Sequence, residues 1–341
     1  MKLERIYLTK NHTMVIPRGD KLMSKLRVFE GFSGIGTQSM ALKRLGVDYE
    51  VVGIAEIDKF AIQSYMAIHG ETKNYGDISK IDPTELPDMD LFTYSFPCQD
   101  LSISGKQRGM SEGTRSGLLY ECEKVITAKK PKYLLLENVK NLISKKFLPE
   151  FNAWVDWLST QGYCNRGEVL NSKDFGIPQN RERVFLVSNS NGDPYSFPDP
   201  IPLETKLKDI LEEEVDDKYY LPHEYTPQPY SKESDLQMTG KLAIKGLDCI
   251  KRVYSPEGIS PTLTTMQGGH RHPKIITDRG VRRLTPLECW RLMGITDEDF
   301  YKAKAVGISD SQLYKQAGNA IVVDVLVGIF GNLFNTTEEA N

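Results

Sequence analysis

Two apolar runs in this chain end on reactive side chains. Asp90-Leu-Phe-Thr-Tyr-Ser-Phe96 runs into Pro97-Cys98-Gln99, and Lys132-Tyr-Leu-Leu-Leu136 runs into Glu137-Asn138-Val139. In an open α/β sheet, reactive groups gather outside the carboxyl ends of the strands. Neighbouring parallel strands would therefore hold this thiol and this carboxyl side by side in one crevice. An attacking thiol and an acid that polarises a ring nitrogen suit addition to an electron-poor ring. Each residue also has a bland reading. Cys98 could be a small core residue, and Glu137 a helix cap or ion-pair partner. Their settings favour chemistry: a polar, Gly-rich loop follows Cys98, and a carboxyl ending a Leu-Leu-Leu strand needs a partner or a task. Gln179-Asn-Arg181-Glu-Arg183 opens a further strand with alternating charge. It is either a solvated strand entry or a pair of arginines placed to hold a ring carbonyl and the Glu137 carboxylate.

A second constellation lies nearer the N-terminus. Phe32-Ser33-Gly34-Ile35-Gly36 follows an apolar strand, and such glycines let backbone approach a ligand at a helix N-terminus. Alone, the pattern fits a tight structural turn equally well. Glu56 strengthens it, because it ends the next strand about 20 residues on, where a carboxylate accepts ribose hydroxyls. Asp77 is expected at a third strand end, beside the base of an adenosine. The lysine of a phosphate-binding P-loop is missing, so an adenosine cofactor without a required phosphate, such as S-adenosylmethionine, fits better than ATP.

The elements that must position these groups alternate. Strands are expected at 26–29, 50–55, 90–96, 132–137 and 183–188. Helices are expected at 37–45, 56–69, 118–129 and 147–161. That alternation predicts an α/β fold with a doubly wound, mostly parallel sheet. From about 192 to 274 the text turns rich in Pro, Tyr, Gly and charge, which predicts a smaller, mixed or β-rich second domain. Helical patterning returns after 284, and residues 320–334 read as one amphipathic helix through Ile321, Val325, Ile329 and Leu333.

Bulk properties narrow the function classes. The 341 residues carry a net charge of −3, which gives no global sign of a polyanion partner. Charge distribution says more: nine Lys/Arg face three Asp/Glu between 241 and 283, a local basic face. The five cysteines are scattered without metal or thioredoxin spacing, which predicts a reduced protein with no structural zinc. His270-Arg-His272 lacks acidic or thiol company and reads as surface or phosphate-contacting, so no metal is expected. No apolar run approaches the ~20 residues needed to cross a bilayer, and no signal-peptide core precedes Met23.

In this order, the pieces resemble the cytosine-5 DNA methyltransferases of bacteria and their phages. The resemblance runs from about 26 to 333, outside 193–250. It rests on Phe96-Pro-Cys-Gln99, Glu137-Asn-Val139, Gln179-Asn-Arg-Glu-Arg183, Arg283-Leu-Thr-Pro-Leu-Glu-Cys-Trp290 and Gln316-Ala-Gly-Asn319. It implies a Rossmann-like S-adenosylmethionine-dependent methyltransferase domain (24–192 with 316–341), a target-recognition domain (193–315) and an N-terminal extension (1–23). By the same resemblance, Phe32, Ser33, Gly34, Ile35, Gly36 and Thr37 form the cofactor loop. Glu56 with Ile57 takes the ribose, Asp77 with Ile78 the adenine, and Pro97, Leu118, Asn319, Ala320 and Ile321 border the pocket. Two departures stand out. Glu30-Gly31 replaces the family's usual Asp followed by a larger apolar residue, and Ser33-Gly34-Ile-Gly36-Thr37 replaces Ala-Gly-Leu-Gly-Gly; both keep a turn-compatible loop.

The implied chemistry is addition of the Cys98 thiolate to carbon 6 of an extruded cytosine, with Glu137 at ring nitrogen 3. Arg183 would hold the ring carbonyl, Arg181 would steady the catalytic loop or carboxylate, and methylation at carbon 5 would release S-adenosylhomocysteine. Gln99, Ser102, Ser104, Lys106 and Arg108 would close over the flipped nucleotide. Thr264, Gln267, Gly268 and Arg271 would enter the DNA groove. The implied setting is a cytoplasmic monomer in a bacterial or phage-infected cell, acting on double-stranded DNA, with a cognate restriction endonuclease as a second partner. The competing readings are a tRNA cytosine-5 methyltransferase on the same scaffold and a non-catalytic DNA-binding relative. An oxidoreductase explains only the first sixty residues.

Overall fold

A computed structural model of the chain describes residues 25–97 and 116–334; Cys98, Gln99, Ser102, Ser104, Lys106 and Arg108 lie outside them. Apolar runs build β1 (Leu26–Gly31), β2 (Tyr49–Ala55), β3 (Leu91–Tyr94) and β4 (Tyr133–Val139). Further on come β5 (Cys164–Asn171), the two-residue β6 (Gln179–Asn180) and β7 (Glu182–Asn189). Six of these form one sheet in the order β2-β1-β3-β4-β7-β5. β1 to β4 pair in parallel, and β7 runs antiparallel to both β4 and β5. The sheet is thus mostly parallel, with one reversed strand.

Helices cover both faces, as a sheet buried on two sides requires. On one face, α1 (Thr37–Arg44) packs Met40, Ala41 and Leu42 against Leu26, Val28 and Leu135. On the other, α3 (Leu119–Lys129) and α4 (Leu148–Thr160) bury Val125, Ile126, Phe151, Trp154 and Leu158 against Phe92, Leu134 and Leu186. Between β2 and β3, α2 (Lys59–His69) starts at Asp58, whose carboxylate accepts the Phe60 N–H at 3.0 Å.

The expected change of character after residue 192 is present. β8 (Tyr225–Pro227), β9 (Met238–Leu242), the short α5 (Asp248–Lys251), β10 (Arg252–Tyr254) and β11 (Ser260–Pro261) follow irregular chain. A hairpin of β12 (Lys274–Thr277) and β13 (Gly280–Arg283) closes a second sheet, ordered β13-β12-β10-β9-β8. It has a small core of its own in Leu242, Ile244, Val253 and Val281. β11 leaves this sheet and pairs in parallel with β6 instead.

Four helices return the chain to the first sheet: α6 (Pro286–Arg291), α7 (Asp297–Ala305), α8 (Asp310–Asn319) and α9 (Val323–Phe334). α6 opens with a capping box between Thr285 and Glu288. The Glu288 carboxylate, fully buried, also takes a two-pronged ion pair from Arg282 at 2.8 and 2.7 Å.

Three sequence expectations need correction. The helix expected over 320–334 begins only at Val323, because Ala320 is extended (φ −69°, ψ 154°) and ends the preceding α8. Residues 310–334, where no membrane-length apolar run was expected, are by length and composition alone apolar enough to cross a bilayer. That stretch instead breaks in two and buries Val325, Leu326, Ile329 and Phe330 in the core shared with α1. Asp77 ends no strand; Asn74 makes a single bridge to Ile54, and Asp77 caps a 3-10 turn, Ile78–Lys80. β5 escaped notice because Cys164-Asn-Arg-Gly-Glu-Val-Leu-Asn171 has no apolar run, as befits a half-exposed edge strand.

Candidate active site and cofactor cleft

At the carboxyl ends of β1 to β4 lies a cavity of about 330 Å³. Its wall includes Phe32, Ser33, Gly34, Ile35, Thr37, Glu56, Ile57, Asp77, Ile78, Pro97, Leu118, Glu137, Arg181, Arg183, Asn319, Ala320 and Ile321. The described members of the two constellations read from the sequence therefore share one cleft.

The loop after β1 is set by backbone geometry. Phe32 adopts φ +56° and donates its N–H to the Ala55 carbonyl at 2.7 Å, tying the loop to the end of β2. Gly36 stands behind the cavity and is not part of its wall. A Cβ there would lie 2.4 Å from His69 Nε2 and 2.6 Å from the Tyr65 ring, so glycine lets α2 close against the loop. His69 Nε2 lies 3.0 Å from the Ile35 carbonyl, in place to donate to it. Beneath the loop, the buried Glu30 carboxylate accepts both the N–H (3.0 Å) and hydroxyl (2.7 Å) of Ser39. Burial pushes the Glu30 carboxyl up to about 7.

Glu56 is the hub of the cofactor end. One oxygen accepts the Gly34 N–H at 2.9 Å, and the other accepts the Ile57 and Asp58 N–H groups at 2.8 Å each. Asn74, which sequence reasoning missed, braces it. Its amide oxygen accepts the Glu56 and Gly76 N–H groups, and its amide nitrogen donates to the Glu56 carbonyl. That holds 74–77 beside β2 and puts Asp77 in the wall without a strand. The Ser79 hydroxyl and N–H hold the Asp77 carboxyl below the usual range, so it stays an acceptor. Ile57 projects an apolar side chain that is 74% exposed at the rim. Two carboxylates able to accept hydroxyl or amine hydrogens, and an apolar side chain in the same wall, are compatible with the adenosine of S-adenosylmethionine.

Glu137 and Arg183 meet through strand register. Val139 pairs with Arg183 across β4 and β7, so Glu137, two residues back, faces Arg183 diagonally on the same side. Arg183 Nε lies 3.2 Å from Glu137 Oε1. Burial raises the Glu137 carboxyl, and the charges of Arg183 and Arg181 pull against that rise. A buried carboxyl balanced in this way is a candidate for holding a proton in the reaction. Asn138 donates its amide to the Phe96 carbonyl at 3.1 Å, which fixes the strand end that leads into Pro97. The sequence motif contained Asn138 but gave it no task. Cys98 itself lies outside the described residues.

Arg181 lines the same cavity, and its charge bears on the Glu137 carboxyl. Its guanidinium also donates to the carbonyls of Leu263 (2.9 Å), Gly318 (3.0 Å) and Ala320 (2.9 Å), ties that the sequence did not suggest. Gln179 makes the neighbouring stitch, accepting the Leu263 N–H and donating to the Leu292 carbonyl. At this joint a Cβ on Gly318 would lie 2.1 Å from the Thr264 carbonyl oxygen, so only glycine lets the two segments cross. Lys315 and Gln316, also unforeseen, pin α8 to α2 through Asp58, Phe60 and Ser64. Of the expected groove residues, Thr264, Gln267, Gly268 and Arg271 are all exposed. No group of three or more potential metal ligands occurs among the described residues.

Comparison with known proteins agrees with this geometry. Residues 26–335 match the family model of C-5 cytosine-specific DNA methylases. The type II methyltransferase M2.ScrFI of Lactococcus lactis subsp. cremoris is 39% identical, over 91% of this chain and 99% of that protein. The orphan methyltransferase M.SPBetaI of Bacillus phage SPbeta is 37% identical, over 92% and 98%. The fold also matches that of S. pombe Dnmt2, with a TM-score of 0.70 and 20% identity over 91% of this chain and 98% of that one. With the family model spanning nearly the whole chain, the protein belongs to the C-5 cytosine-specific DNA methylases and is an enzyme of that class.

Proposed function

We propose that the cleft takes S-adenosylmethionine at the Glu56–Asp77 end and a cytosine extruded from duplex DNA at the Glu137–Arg183 end. Cys98 is the nucleophile in this reading. The observation that carries it is the Glu137–Arg183 pair, set in the same cavity wall as the cofactor loop. S-adenosylmethionine, when bound, supplies an electrophilic methyl group and leaves as S-adenosylhomocysteine.

The protein's own residues do the rest. The Cys98 thiolate adds to carbon 6, the 5,6 double bond shifts its electrons toward carbon 5, and Glu137 holds a proton at ring nitrogen 3 against the growing charge. Arg183 donates to the ring carbonyl while its Nε keeps Glu137 oriented. After carbon 5 has gained its methyl group, loss of the carbon 5 proton expels Cys98 and restores the double bond. None of this can occur inside a base stack, so the cytosine rotates out, at a cost of a few kcal/mol.

The proposed domain division places 24–192 with 316–341 in catalysis and 193–315 in target reading. A second sheet with a small core of its own supports that division, while Leu287, Trp290 and Phe300 of the second part pack into the main core. The loop around Gln267 to Arg271, exposed and flanked by basic chain, supports groove contact. Duplex DNA is preferred to RNA because the matching family model is that of cytosine-specific DNA methylases, and the relatives are named type II and orphan methyltransferases of bacteria and phages. The test is bisulfite sequencing of plasmid recovered from cells expressing the chain. Methylcytosine at one short motif with wild type, and none with Cys98→Ser, is the expected result. Methylation by Cys98→Ser, or none by wild type, contradicts the proposal.

A further inference from the structure

The exposed segment between β11 and β12 carries an unusual concentration of backbone strain. Met266, Gly268, Gly269 and His270 have φ of +50°, +71°, +61° and +58°. Two of the four are not glycine, and each such residue costs on the order of 1–3 kcal/mol unless its surroundings hold it. Something must therefore fix the ends of this loop.

Both roots are buried. At one, Met266 is 3% exposed, within the main core and 3.9 Å from the Cys289 sulfur. At the other, Lys274 is 2% exposed, a burial that lysine almost never reaches without a partner. Its ammonium donates to the carbonyls of His270 (2.5 Å) and His272 (2.9 Å). Burial lowers its pKa to about 8, so the charged form still dominates at neutral pH. Gln267, Gly268, Gly269, His270 and Arg271, between the roots, are all exposed. The His272 ring then meets the Tyr314 ring edge-on, with centroids 4.4 Å apart. Tyr314 sits on α8, which also gives Lys315, Gln316 and Asn319 to the cofactor cleft.

A lysine used only to end a strand would leave its ammonium in water. This one turns inward, at a real desolvation cost, to satisfy the two carbonyls that bracket Arg271. We propose that Lys274 is a positioning residue for target reading: its buried ammonium clips the carbonyls of His270 and His272 and so holds residues 267–271 in one DNA-reading shape. The proposal rests on the reading of this loop as a groove contact. It adds that the loop is formed before DNA arrives, which spares the ordering entropy a loose loop would lose on binding.

The experiment uses the full chain, tritiated S-adenosylmethionine and a long natural duplex, followed by bisulfite sequencing of the product. Lys274→Met is expected to raise KM for DNA about tenfold, the worth of one charge-assisted hydrogen bond. Marks at sites one base away from the motif should rise against marks at matching sites by a similar factor. kcat at saturating DNA and the cofactor Kd should stay within about threefold, a split that general loss of structure would not give. Lys274→Gln, which keeps an amide donor, should fall between the two. Backbone order parameters of Gly268 and Gly269 should read about 0.8 in the free wild type and drop below about 0.6 in Lys274→Met.

Wild-type KM and discrimination in folded Lys274→Met overturn the proposal, provided that Arg271→Ala weakens DNA binding. If Arg271→Ala and Gln267→Ala leave KM unchanged, the groove reading itself has failed. Low order parameters in the free wild type overturn the clip without any variant.

Discussion

The cofactor end and the recognition loop solve the same problem, an irregular backbone held in one shape, by opposite means. At the proposed cofactor end the polar groups are two carboxylates of the cavity wall and a neighbouring amide, braced by short bonds: Glu56 to Gly34, Asn74 to Glu56, Asp77 to Ser79. At the recognition loop the brace is a buried cation, Lys274, reaching back to its own loop's carbonyls. The first arrangement stays open to a ligand that will take over some of those bonds. The second leaves the Gln267 and Arg271 side chains exposed, while the His270 ring packs edge-on against His223. Between the two stands a joint, where Arg181, Gln179 and Gly318 tie the recognition segment to the floor of the cleft.

That contrast makes each region separable by mutation. The largest effect belongs to the catalytic end: Glu137→Gln should lower kcat by about 10²-fold or more, with cofactor Kd nearly unchanged. Equal losses in cofactor affinity would mean that Glu137 holds the fold of the cleft and not a proton. Next, Glu56→Ala should weaken S-adenosylmethionine about 10- to 100-fold by calorimetry while DNA affinity in gel shift stays the same. Loss of both would erase the distinction between the two ends.

Gly318→Ala sharpens the role of the joint. A methyl group forced against the Thr264 carbonyl should destabilise the protein by about 1–3 kcal/mol and weaken cofactor and DNA binding together. Unaltered DNA affinity in a stable variant would show that the joint couples nothing. The smallest effect is at Glu30, where pH sets the sign. Its folded pKa of about 7 exceeds the ordinary 4.5 of a free glutamate, so its contribution to stability is fully present below about pH 4.5 and is lost as pH rises through 7. Glu30→Gln should therefore gain stability over wild type at pH 8, and gain little at pH 5. Parallel pH–stability curves for the two proteins would mean that burial does not shift Glu30.

Legibility followed the same divide. Glu56, Glu137 and Arg183 announced themselves because each sits where a clear apolar strand begins or ends, and strand ends converge by topology. The parallel order of β1 to β4 followed from alternation for the same reason. Asp77 was picked on the wrong grounds, since the side-chain bonds of Asn74 do the work assigned to a strand. Such bonds have no sequence period. Arg181 was legible as important but not as a tie, because its acceptors are backbone carbonyls from segments 82 to 139 positions away. Lys274 could not be read at all: in sequence it is one more cation in a basic stretch, and only burial sets it apart. The start of α9 at Val323, three residues later than expected, was hidden by an apolar pattern that runs through Ile321 and Val322.

The account stands on a thiol at position 98 adding to a cytosine held by Glu137 and Arg183. The most direct test is incubation with S-adenosylmethionine and duplex DNA in which cytosine is replaced by 5-fluorocytosine, whose carbon 5 cannot shed a proton. A denaturation-resistant protein–DNA adduct, mapped by peptide mass to Cys98 and missing in Cys98→Ser, is the predicted result. No adduct, or one attached at another residue, contradicts it.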